Sequence, residues 1–281
     1  MNKEELKNQI FNEDIVLFLN KIDDNLFNLI ITSPPYFGCR KYGDETLGRE
    51  ESPLDYIKNI SEIFNKLKSK LKDDGSLFLN IGDVYFGSKG FSRNKGSWER
   101  KTDQHYSKHK IIKEDGKYLQ HKQLLMLPTR IAIEMQNFGW ILRNNIIWEK
   151  PNPIPSFSED RKLPVYENIF HFVKSKKYFY NYELSKKFEH HRDVIKCGIE
   201  AYDEHQATFP EKLIYPFIQY ASQPGDFIFD PFVGSGTVAS VCIKSNRIFC
   251  GTELIKNNCD IIENRIKKAK EESYNIFNYD R

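Results

Sequence analysis

The sequence contains five cysteines, and no two of them form a C-x-x-C pair. Zinc-finger spacing and a disulfide framework are therefore both missing, which favours a reducing compartment. No apolar run approaches the length that crosses a bilayer, and residues 1–11 are charged rather than apolar. Neither a membrane span nor a secretory signal is expected from such a sequence. These absences predict a cytoplasmic protein that does not associate with membranes.

A strong charge of either sign is also missing. The 281 residues carry a net charge of +3 and are 40% hydrophobic, which indicates an ordinary folded chain. The charge is unevenly distributed, because residues 86–122 hold ten Lys or Arg against four Asp or Glu. Such a stretch can neutralise phosphates, and it can equally be a solvated loop. Its function stays open on charge alone.

The apolar pattern predicts an α/β fold. Short buried runs predict strands at 28–32, 76–81, 140–148, 165–173, 226–230 and 247–251. Helical spacing predicts helices at 53–71, 124–138, 209–221, 237–244 and 257–269. Strands that alternate with helices indicate a mainly parallel sheet with crossover helices. Residues 86–123 and 152–197 contain long irregular stretches and are predicted to be insertions.

A glycine-rich segment, Asp230 to Thr237 (DPFVGSGT), joins a predicted strand to a predicted helix. Glycines let the backbone approach a ligand closely and adopt positive φ, and amide groups at a helix start can receive polar ligand atoms. Glu253 ends the next strand, where a carboxylate can accept hydrogen bonds from both hydroxyls of a ribose. The segment is not G-x-G-x-x-G, so a nucleoside is favoured over a dinucleotide. A tight turn without a ligand is the alternative.

The segment Thr32 to Tyr36 (TSPPY) follows the first buried strand. The exocyclic amine of a base is a poor nucleophile, because its lone pair is delocalised into the ring. Acceptors beside the amine hydrogens return electron density to nitrogen, and the Pro34 carbonyl and the Ser33 side chain can supply them. Tyr36 can stack on a base that is turned out of the duplex. A diproline turn with a packed tyrosine is the alternative. No G-x-S-x-G elbow surrounds Ser33, which argues against a hydrolase nucleophile.

Both segments resemble motifs of the beta group of amino-methylating DNA methyltransferases, D-P-F-x-G-S-G-T and S-P-P-Y. Their order along the chain also matches, as do LNIGDVY at 79–85, the W-x-K-x-N-P segment at 148–153 and HQATFP at 205–210. The resemblance implies a circularly permuted, Rossmann-like S-adenosylmethionine-dependent methyltransferase fold. Its sheet would have seven strands, mainly parallel, with one reversed strand near an edge. The Ser form of the second motif favours cytosine N4 over adenine N6 as the target.

The resemblance also implies a set of site residues within a single catalytic domain, 1–281. The catalytic residues would be Ser33, Pro34, Pro35 and Tyr36. The residues that bind S-adenosylmethionine would be Asp14, Thr32, Thr208, Phe209, Asp230, Pro231, Phe232, Gly234, Ser235, Gly236, Thr237 and Glu253. The two insertions would recognise DNA, through Lys89, Arg93, Lys95, Arg100, Lys101 and Arg161. Double-stranded DNA, a cognate restriction endonuclease and a second copy of the chain are the implied partners.

Three other functions remain open. An adenine methyltransferase and an RNA methyltransferase would share most of these features, and a DNA-binding protein without activity could keep the fold. A metal site is not expected, because His105 and His109 and the pair His190–His191 lack fixed cysteine or acidic partners.

Overall fold

The computed structural model describes residues 1–38, 47–86, 116–153, 155, 158–188, 191–202 and 205–279, with the backbone alone at 200–202, 205–208 and 274–279. The strands in this part are β1 (Gln9–Phe11), β2 (Phe27–Thr32), β3 (Leu71–Ile81), β4 (Ile141–Glu149), β5 (Tyr166–Val173), β6 (Val194–Lys196), β7 (Glu200–Tyr202), β8 (His205–Thr208), β9 (Phe227–Asp230) and β10 (Ile248–Thr252). The helices are α1 (Lys3–Leu6), α2 (Ile15–Leu19), α3 (Pro53–Lys70), α4 (Leu127–Asn137), α5 (Tyr182–Lys187), α6 (Glu211–Ala221), α7 (Thr237–Lys244) and α8 (Lys256–Tyr279).

Eight of the described strands form one sheet, in the order β1-β10-β9-β2-β3-β5-β4-β6. Strand β5 runs antiparallel to both of its neighbours, and the other described pairs in this sheet are parallel. The mainly parallel sheet with one reversed strand near its edge is therefore confirmed. The resemblance implied seven strands, and the described part has eight: the six that the apolar pattern predicted and the three-residue strands β1 and β6 at the two edges. Strands β7 and β8 form a separate antiparallel pair.

The central strands are buried on both faces. Along β2, Phe27 and Ile30 belong to one hydrophobic cluster, whereas Leu29 and Ile31 belong to the other. Helices α2, α3 and α4 contribute to the first cluster, and α6 and α7 to the second. Burial on both faces is typical of parallel strands in α/β proteins, and it explains the continuous apolar runs in the sequence.

Strand β3 begins earlier than its apolar pattern predicted. The pattern indicated a strand from residue 76, but β3 already pairs with β2 at Leu71, directly after α3 ends. The pairing advances from Leu71 to Ser76 on β3 while it advances only from Phe27 to Leu29 on β2. The extra residues of β3 form an irregularity in the ladder, so residues 72–75, between the predicted helix and the predicted strand, lie within β3.

Strands β2 and β9 are parallel neighbours, with Leu29 opposite Ile228 and Ile30 opposite Phe229. Their carboxyl ends therefore lie at the same edge of the sheet. The TSPPY and DPFVGSGT segments start from these two ends. In open α/β sheets, ligands bind outside the carboxyl ends of the strands.

The first insertion leaves and rejoins the fold at one place. Tyr85 forms an antiparallel bridge with Leu124, and Phe86 N donates to Gln123 O at 2.8 Å. The second range, 152–197, includes β5 and β6, which belong to the main sheet. In the described parts of both ranges and of the rest of the chain, no helix combines the length and apolarity that crossing a membrane requires.

Candidate active site

A buried hydrogen bond joins the ends of β2 and β9. Thr32 Oγ1 donates to Asp230 Oδ1 at 2.7 Å, although the two residues are 198 positions apart in the sequence. Phe232 N donates to the same oxygen at 3.0 Å. Burial raises the pKa of Asp230 to about 7, the two donors oppose this rise, and the charge of Glu253 adds to it. The two segments singled out in the sequence are thus directly connected.

The diproline loop is held from both sides. Tyr56 Oη, from α3, donates to the Pro35 carbonyl at 2.9 Å, and Ser33 Oγ donates to Tyr36 Oη at 3.2 Å. Within the described residues, no donor is paired with the Pro34 carbonyl oxygen. The Ser33 hydroxyl hydrogen points toward Tyr36, so its lone pairs remain for another donor. The Ser33 oxygen and the Pro34 carbonyl oxygen can therefore each accept a hydrogen bond from an amine.

Tyr36 is fixed by a glycine and a carboxylate. A Cβ added at Gly82 would lie 2.8 Å from Cε2 of the Tyr36 ring, so the ring occupies space that only a glycine leaves open. The Tyr36 hydroxyl donates to Glu167 Oε2 at 2.8 Å. Burial raises the pKa of Tyr36 well above its ordinary value, and the charge of Glu167 adds to the shift. The phenol therefore stays protonated at neutral pH and remains a donor.

Glu167, on β5, collects two further donors. Asn80 Nδ2 donates to Oε2 at 3.1 Å, and Lys150 Nζ forms an ion pair with Oε1. Lys150 also lies over the Trp148 ring, 4.5 Å from its centroid. Glu167, Asn80 and Lys150 were not among the site residues predicted from the sequence. Asn80 and Lys150 lie in segments that resemble the family, which was the available signal, whereas Glu167 belongs to a strand recognised only by its apolar pattern.

The glycine turn has the backbone conformation that its residues predict. Gly234 and Gly236 have φ of 58° and 82°, and Gly236 is the N-cap of α7. The amides differ from the expectation, because Gly234 N already donates to Glu253 Oε2 at 2.8 Å and Gly236 N donates to Val233 O at 3.0 Å. These two amides close the turn on itself and are not free for a ligand. The turn therefore shapes the wall of a site.

An arginine from α8 supports the glycine turn. Arg265 Nη1 donates to Ser235 Oγ at 3.0 Å and to Thr237 Oγ1 at 2.9 Å. Its Nη2 donates to Glu211 Oε1 at 3.0 Å, and Arg265 is 6% exposed. Lys244 pairs with the same carboxylate at 2.9 Å. Arg265 was not predicted as a site residue, because one arginine in a charged helical segment carries no signal of burial.

Glu253 is held rigidly at the end of β10. Its Oε1 accepts from Ile255 N at 2.9 Å and from Asn258 Nδ2 at 3.0 Å, and the residue is 8% exposed. Together with the bond from Gly234, these contacts fix both carboxylate oxygens beside the turn. A fixed carboxylate at this point is the arrangement that ribose recognition requires.

One cavity of about 530 Å³ lies between the two segments. All four predicted catalytic residues line it, and so do eight of the predicted cofactor residues, namely Asp14, Phe209, Pro231, Phe232, Gly234, Ser235, Thr237 and Glu253. Thr32 and Asp230 are buried, 1% and 3% exposed, at the strand ends that carry these segments. Gly236 is the N-cap of α7, at the end of the turn. The structure thus brings Tyr36 and Gly234 to one shared space.

The charge of the cavity fits S-adenosylmethionine. Its lining, within the described residues, holds the carboxylates Glu13, Asp14, Asp83, Glu167 and Glu253 against the single ammonium group of Lys150. Such a wall attracts a cation, and the ligand carries a sulfonium and an ammonium group against one carboxylate, so it is a net cation. The volume lies within the range of small-molecule sites. Apolar groups such as Ile15 and Phe232 line the same space and can cover an adenine ring.

Several predicted residues lie elsewhere or outside the described residues. Asp14 caps α2 by accepting from Val16 N at 2.8 Å, besides lining the cavity. Arg161 stacks on the Tyr85 ring at 4.0 Å, and its neighbour Asp160 pairs with Lys122. The side chain of Thr208 lies outside the described part of the chain. So do the other predicted DNA contacts, which are Lys89, Arg93, Lys95, Arg100 and Lys101.

No group of three or more His, Cys, Asp or Glu residues that could hold a metal ion occurs in the described ranges. His105, His109 and His190 lie outside those ranges. The expectation of a site without metal therefore remains a prediction.

Comparison with known proteins places the chain in a family. A family model described as DNA methylase matches residues 27–264. The Type II methyltransferase M.Cfr9I of Citrobacter freundii is 36% identical over 267 residues, which cover 92% of this chain and 87% of that protein.

Solved structures with the same fold include the PvuII DNA methyltransferase, described as cytosine-N4-specific, with a TM-score of 0.70, 19% identity and coverage of 96% of this chain and 92% of that one. A complex of M1.HpyAVI with SAM has a TM-score of 0.61, 18% identity and coverage of 92% and 98%. The comparisons confirm the predicted methyltransferase fold and S-adenosylmethionine as the methyl donor. The chain belongs to the DNA methylase family of N6 and N4 methyltransferases.

Proposed function

We propose that this DNA methyltransferase transfers a methyl group to the exocyclic N4 amine of cytosine within a short sequence of double-stranded DNA. The observation that carries the proposal is the shared cavity, in which Ser33 to Tyr36 face Gly234, Ser235 and Glu253. The Ser form of the S-P-P-Y segment favours cytosine as the target. The target base would leave the duplex to reach the buried loop.

Ser33 and Pro34 are proposed to bind the target amine. The Ser33 oxygen and the Pro34 carbonyl would each accept one amine hydrogen, and this would concentrate the nitrogen lone pair on the side that faces the cofactor wall. Tyr56 holds the Pro35 carbonyl, so the loop is already positioned before the base arrives. Acceleration would come from this positioning and from fixed dipoles rather than from a covalent intermediate.

The opposite wall is proposed to hold S-adenosylmethionine. The turn from Gly234 to Thr237 would contact its methionine part, and Glu253 would accept from its ribose hydroxyls. The bound cofactor supplies a methyl group on a positively charged sulfur. Asp14 and Phe209 are proposed to complete this wall, since both line the cavity.

The proposal also covers DNA contacts, partner proteins and cellular location. The insertions, with Arg161 and the basic residues of 86–123, would bind phosphates and read the target sequence. Relatives such as M.Cfr9I are described as Type II methyltransferases. We therefore propose that a companion restriction endonuclease accompanies this chain. We also propose, from the resemblance and the composition of the sequence, that the chain forms a dimer and acts in the cytoplasm.

The identity of the methylated nucleoside tests this proposal. The purified chain is incubated with methyl-labelled S-adenosylmethionine and unmethylated phage DNA, and the DNA is digested to nucleosides and analysed by mass spectrometry. We expect N4-methylcytosine. Pro35→Ala serves as the matched variant, with a large loss of turnover and nearly unchanged cofactor affinity.

Each other outcome identifies a different function. N6-methyladenine alone would replace cytosine by adenine as the target. Label that enters RNA in a competition with DNA would indicate an RNA methyltransferase. No label in either, together with no cofactor binding by calorimetry, would favour a DNA-binding protein without activity.

A further inference from the structure

Three hydroxyl and carboxyl groups form a directed line from the diproline loop into the sheet. Ser33 Oγ donates to Tyr36 Oη at 3.2 Å, and Tyr36 Oη donates to Glu167 Oε2 at 2.8 Å. Each hydroxyl has one hydrogen to donate and lone pairs with which to accept, so each can take up a proton from the previous group as it passes its own proton to the next. The line begins at the oxygen proposed to face the target amine, and it ends on a carboxylate.

The end of the line is chemically defined. Tyr36 Oη also lies 3.4 Å from Asn80 Oδ1, but its single proton serves the shorter contact, and an amide oxygen is too weak a base to retain a proton. The other carboxylate oxygen, Oε1, is paired with Lys150 Nζ. Oε2 is therefore the oxygen of Glu167 that the line reaches.

We propose that Glu167 receives the proton that the target amine loses during methyl transfer, through Tyr36 and Ser33. This inference rests on the proposed function, because it requires an amine at Ser33. It holds for a cytosine or an adenine amine alike. Glu167 does not touch the base in this scheme, so it is a positioning residue that acts through the tyrosine.

The atoms and charges balance. A nitrogen–carbon bond forms as the carbon–sulfur bond of the bound donor breaks, and the electron pair of the broken bond stays on sulfur. The amine proton passes to Ser33 Oγ, the serine proton to Tyr36 Oη and the tyrosine proton to Glu167 Oε2. The positive charge of the sulfonium and the negative charge of the carboxylate disappear together, leaving a neutral methylated amine.

Burial explains why an internal acceptor is needed. Asn80 is 5% exposed, and the side chains of Glu167 and Lys150 are 15% and 17% exposed. A flipped base would cover this wall further and restrict the access of water. A carboxylate connected to the amine by hydrogen bonds removes the need for a water molecule at the moment of transfer.

The test compares Glu167→Gln with wild type in single-turnover methyl transfer to a DNA duplex, whose target sequence is first identified by mapping the bases that the wild-type chain methylates in phage DNA. Glutamine keeps the shape and can still accept from Tyr36, but it cannot take up a proton. We expect the rate constant to fall about 100-fold, the scale of a lost acid–base group. Glu149→Gln is the matched control, since Glu149 also pairs with a lysine, Lys196, at 3.3 Å, but on the outer pair of β4 and β6. Its rate should stay unchanged.

A second variant breaks the line without disturbing the ion pair. Tyr36→Phe keeps the ring but removes the hydroxyl, so it should slow transfer similarly. Adding Glu167→Gln to Tyr36→Phe should then change the rate less than about 2-fold, because coupled residues are not additive. Base extrusion, measured by the fluorescence of 2-aminopurine at the target position, should stay at the wild-type level in Glu167→Gln. The solvent deuterium isotope effect on the transfer step should shrink in both variants.

Several results would overturn the relay. Wild-type rates in a folded Glu167→Gln variant would do so, as would independent, multiplicative losses in the double variant. Lost base extrusion in Glu167→Gln would give Glu167 a structural role instead. These failures differ from failure of the proposed function, in which the wild-type chain itself would methylate no DNA.

Discussion

At the scale of single residues, Asp230 links the site to the stability of the fold. Burial raises the pKa of this carboxyl from 3.8 to about 7. Between these two values the folded chain binds a proton that the unfolded chain has released. Stability from this group is therefore highest below the lower value, and it is lost as the pH rises through the window.

Replacing Asp230 by asparagine should remove this pH dependence. The amide oxygen can still accept from Thr32 and Phe232, so the strand ends stay joined. Relative to wild type, the unfolding free energy of Asp230→Asn should increase by roughly 2 to 4 kcal/mol between pH 4 and pH 8, since one pKa unit corresponds to about 1.4 kcal/mol. Urea denaturation across this pH range measures the difference.

Thr32→Val is the companion variant for this experiment. In the wild type, the Thr32 hydroxyl donates to Asp230 and lowers the pKa of the carboxyl. The valine removes this hydroxyl, so the pKa of Asp230 should rise further. The pH window should therefore extend to higher values in Thr32→Val. Parallel stability curves for wild type and Asp230→Asn would contradict the account.

At the scale of elements, helix α8 stabilises the glycine turn at the start of α7. The guanidinium of Arg265 joins Ser235 and Thr237 to the Glu211 carboxylate of α6. Three helices thus meet at the turn proposed to hold the cofactor. A planar guanidinium suits this position, because its two terminal nitrogens donate to partners on different elements.

Arg265→Met should weaken S-adenosylmethionine binding although Arg265 lies behind the turn. We expect the dissociation constant to rise about 10-fold, because losing charge-assisted hydrogen bonds costs about 1.5 to 3 kcal/mol, part of which falls on the shape of the turn. Isothermal titration calorimetry measures the affinity. Lys267→Met, an exposed position on the same helix, is the control and should bind normally. Equal affinities in the two variants would show that the turn holds its shape without Arg265.

Elements that border the site could be predicted because local signals agree there. The apolar run of β2 ends at two prolines, and β9 ends at a glycine turn, so both the strands and their ends were visible in the sequence. The early start of β3 was hidden, because Asp73, Asp74 and Gly75 have turn chemistry that the irregular pairing with β2 absorbs.

Contacts between residues far apart in the sequence could not be predicted from the sequence. Tyr36 and Glu167 are 131 positions apart, and Arg265 and Ser235 are 30 apart. Periodicity places each residue on an element, but it does not say which elements are neighbours. The order of strands in the sheet supplies that information, and β5 carries Glu167 next to Asn80 of β3.

At the scale of the whole molecule, the fold brings two loops from opposite ends of the chain to one edge of the sheet. The connection depends on β2 lying beside β9, with Thr32 bonded to Asp230. The resulting cavity is lined by Ser33 and Pro34 of the diproline loop and by the closed glycine turn and Glu253. We therefore claim that the target base and the cofactor occupy one shared cavity, the base at the diproline loop and the cofactor at the glycine turn.

A crystal structure of the chain with S-adenosylmethionine tests this claim most directly. We predict the methionine part against Gly234 to Thr237, the ribose hydroxyls at Glu253, and the transferable methyl group directed toward Ser33 and Pro34. A cofactor bound outside this cavity, or bound inside with its methyl group turned away from the diproline loop, would contradict the account.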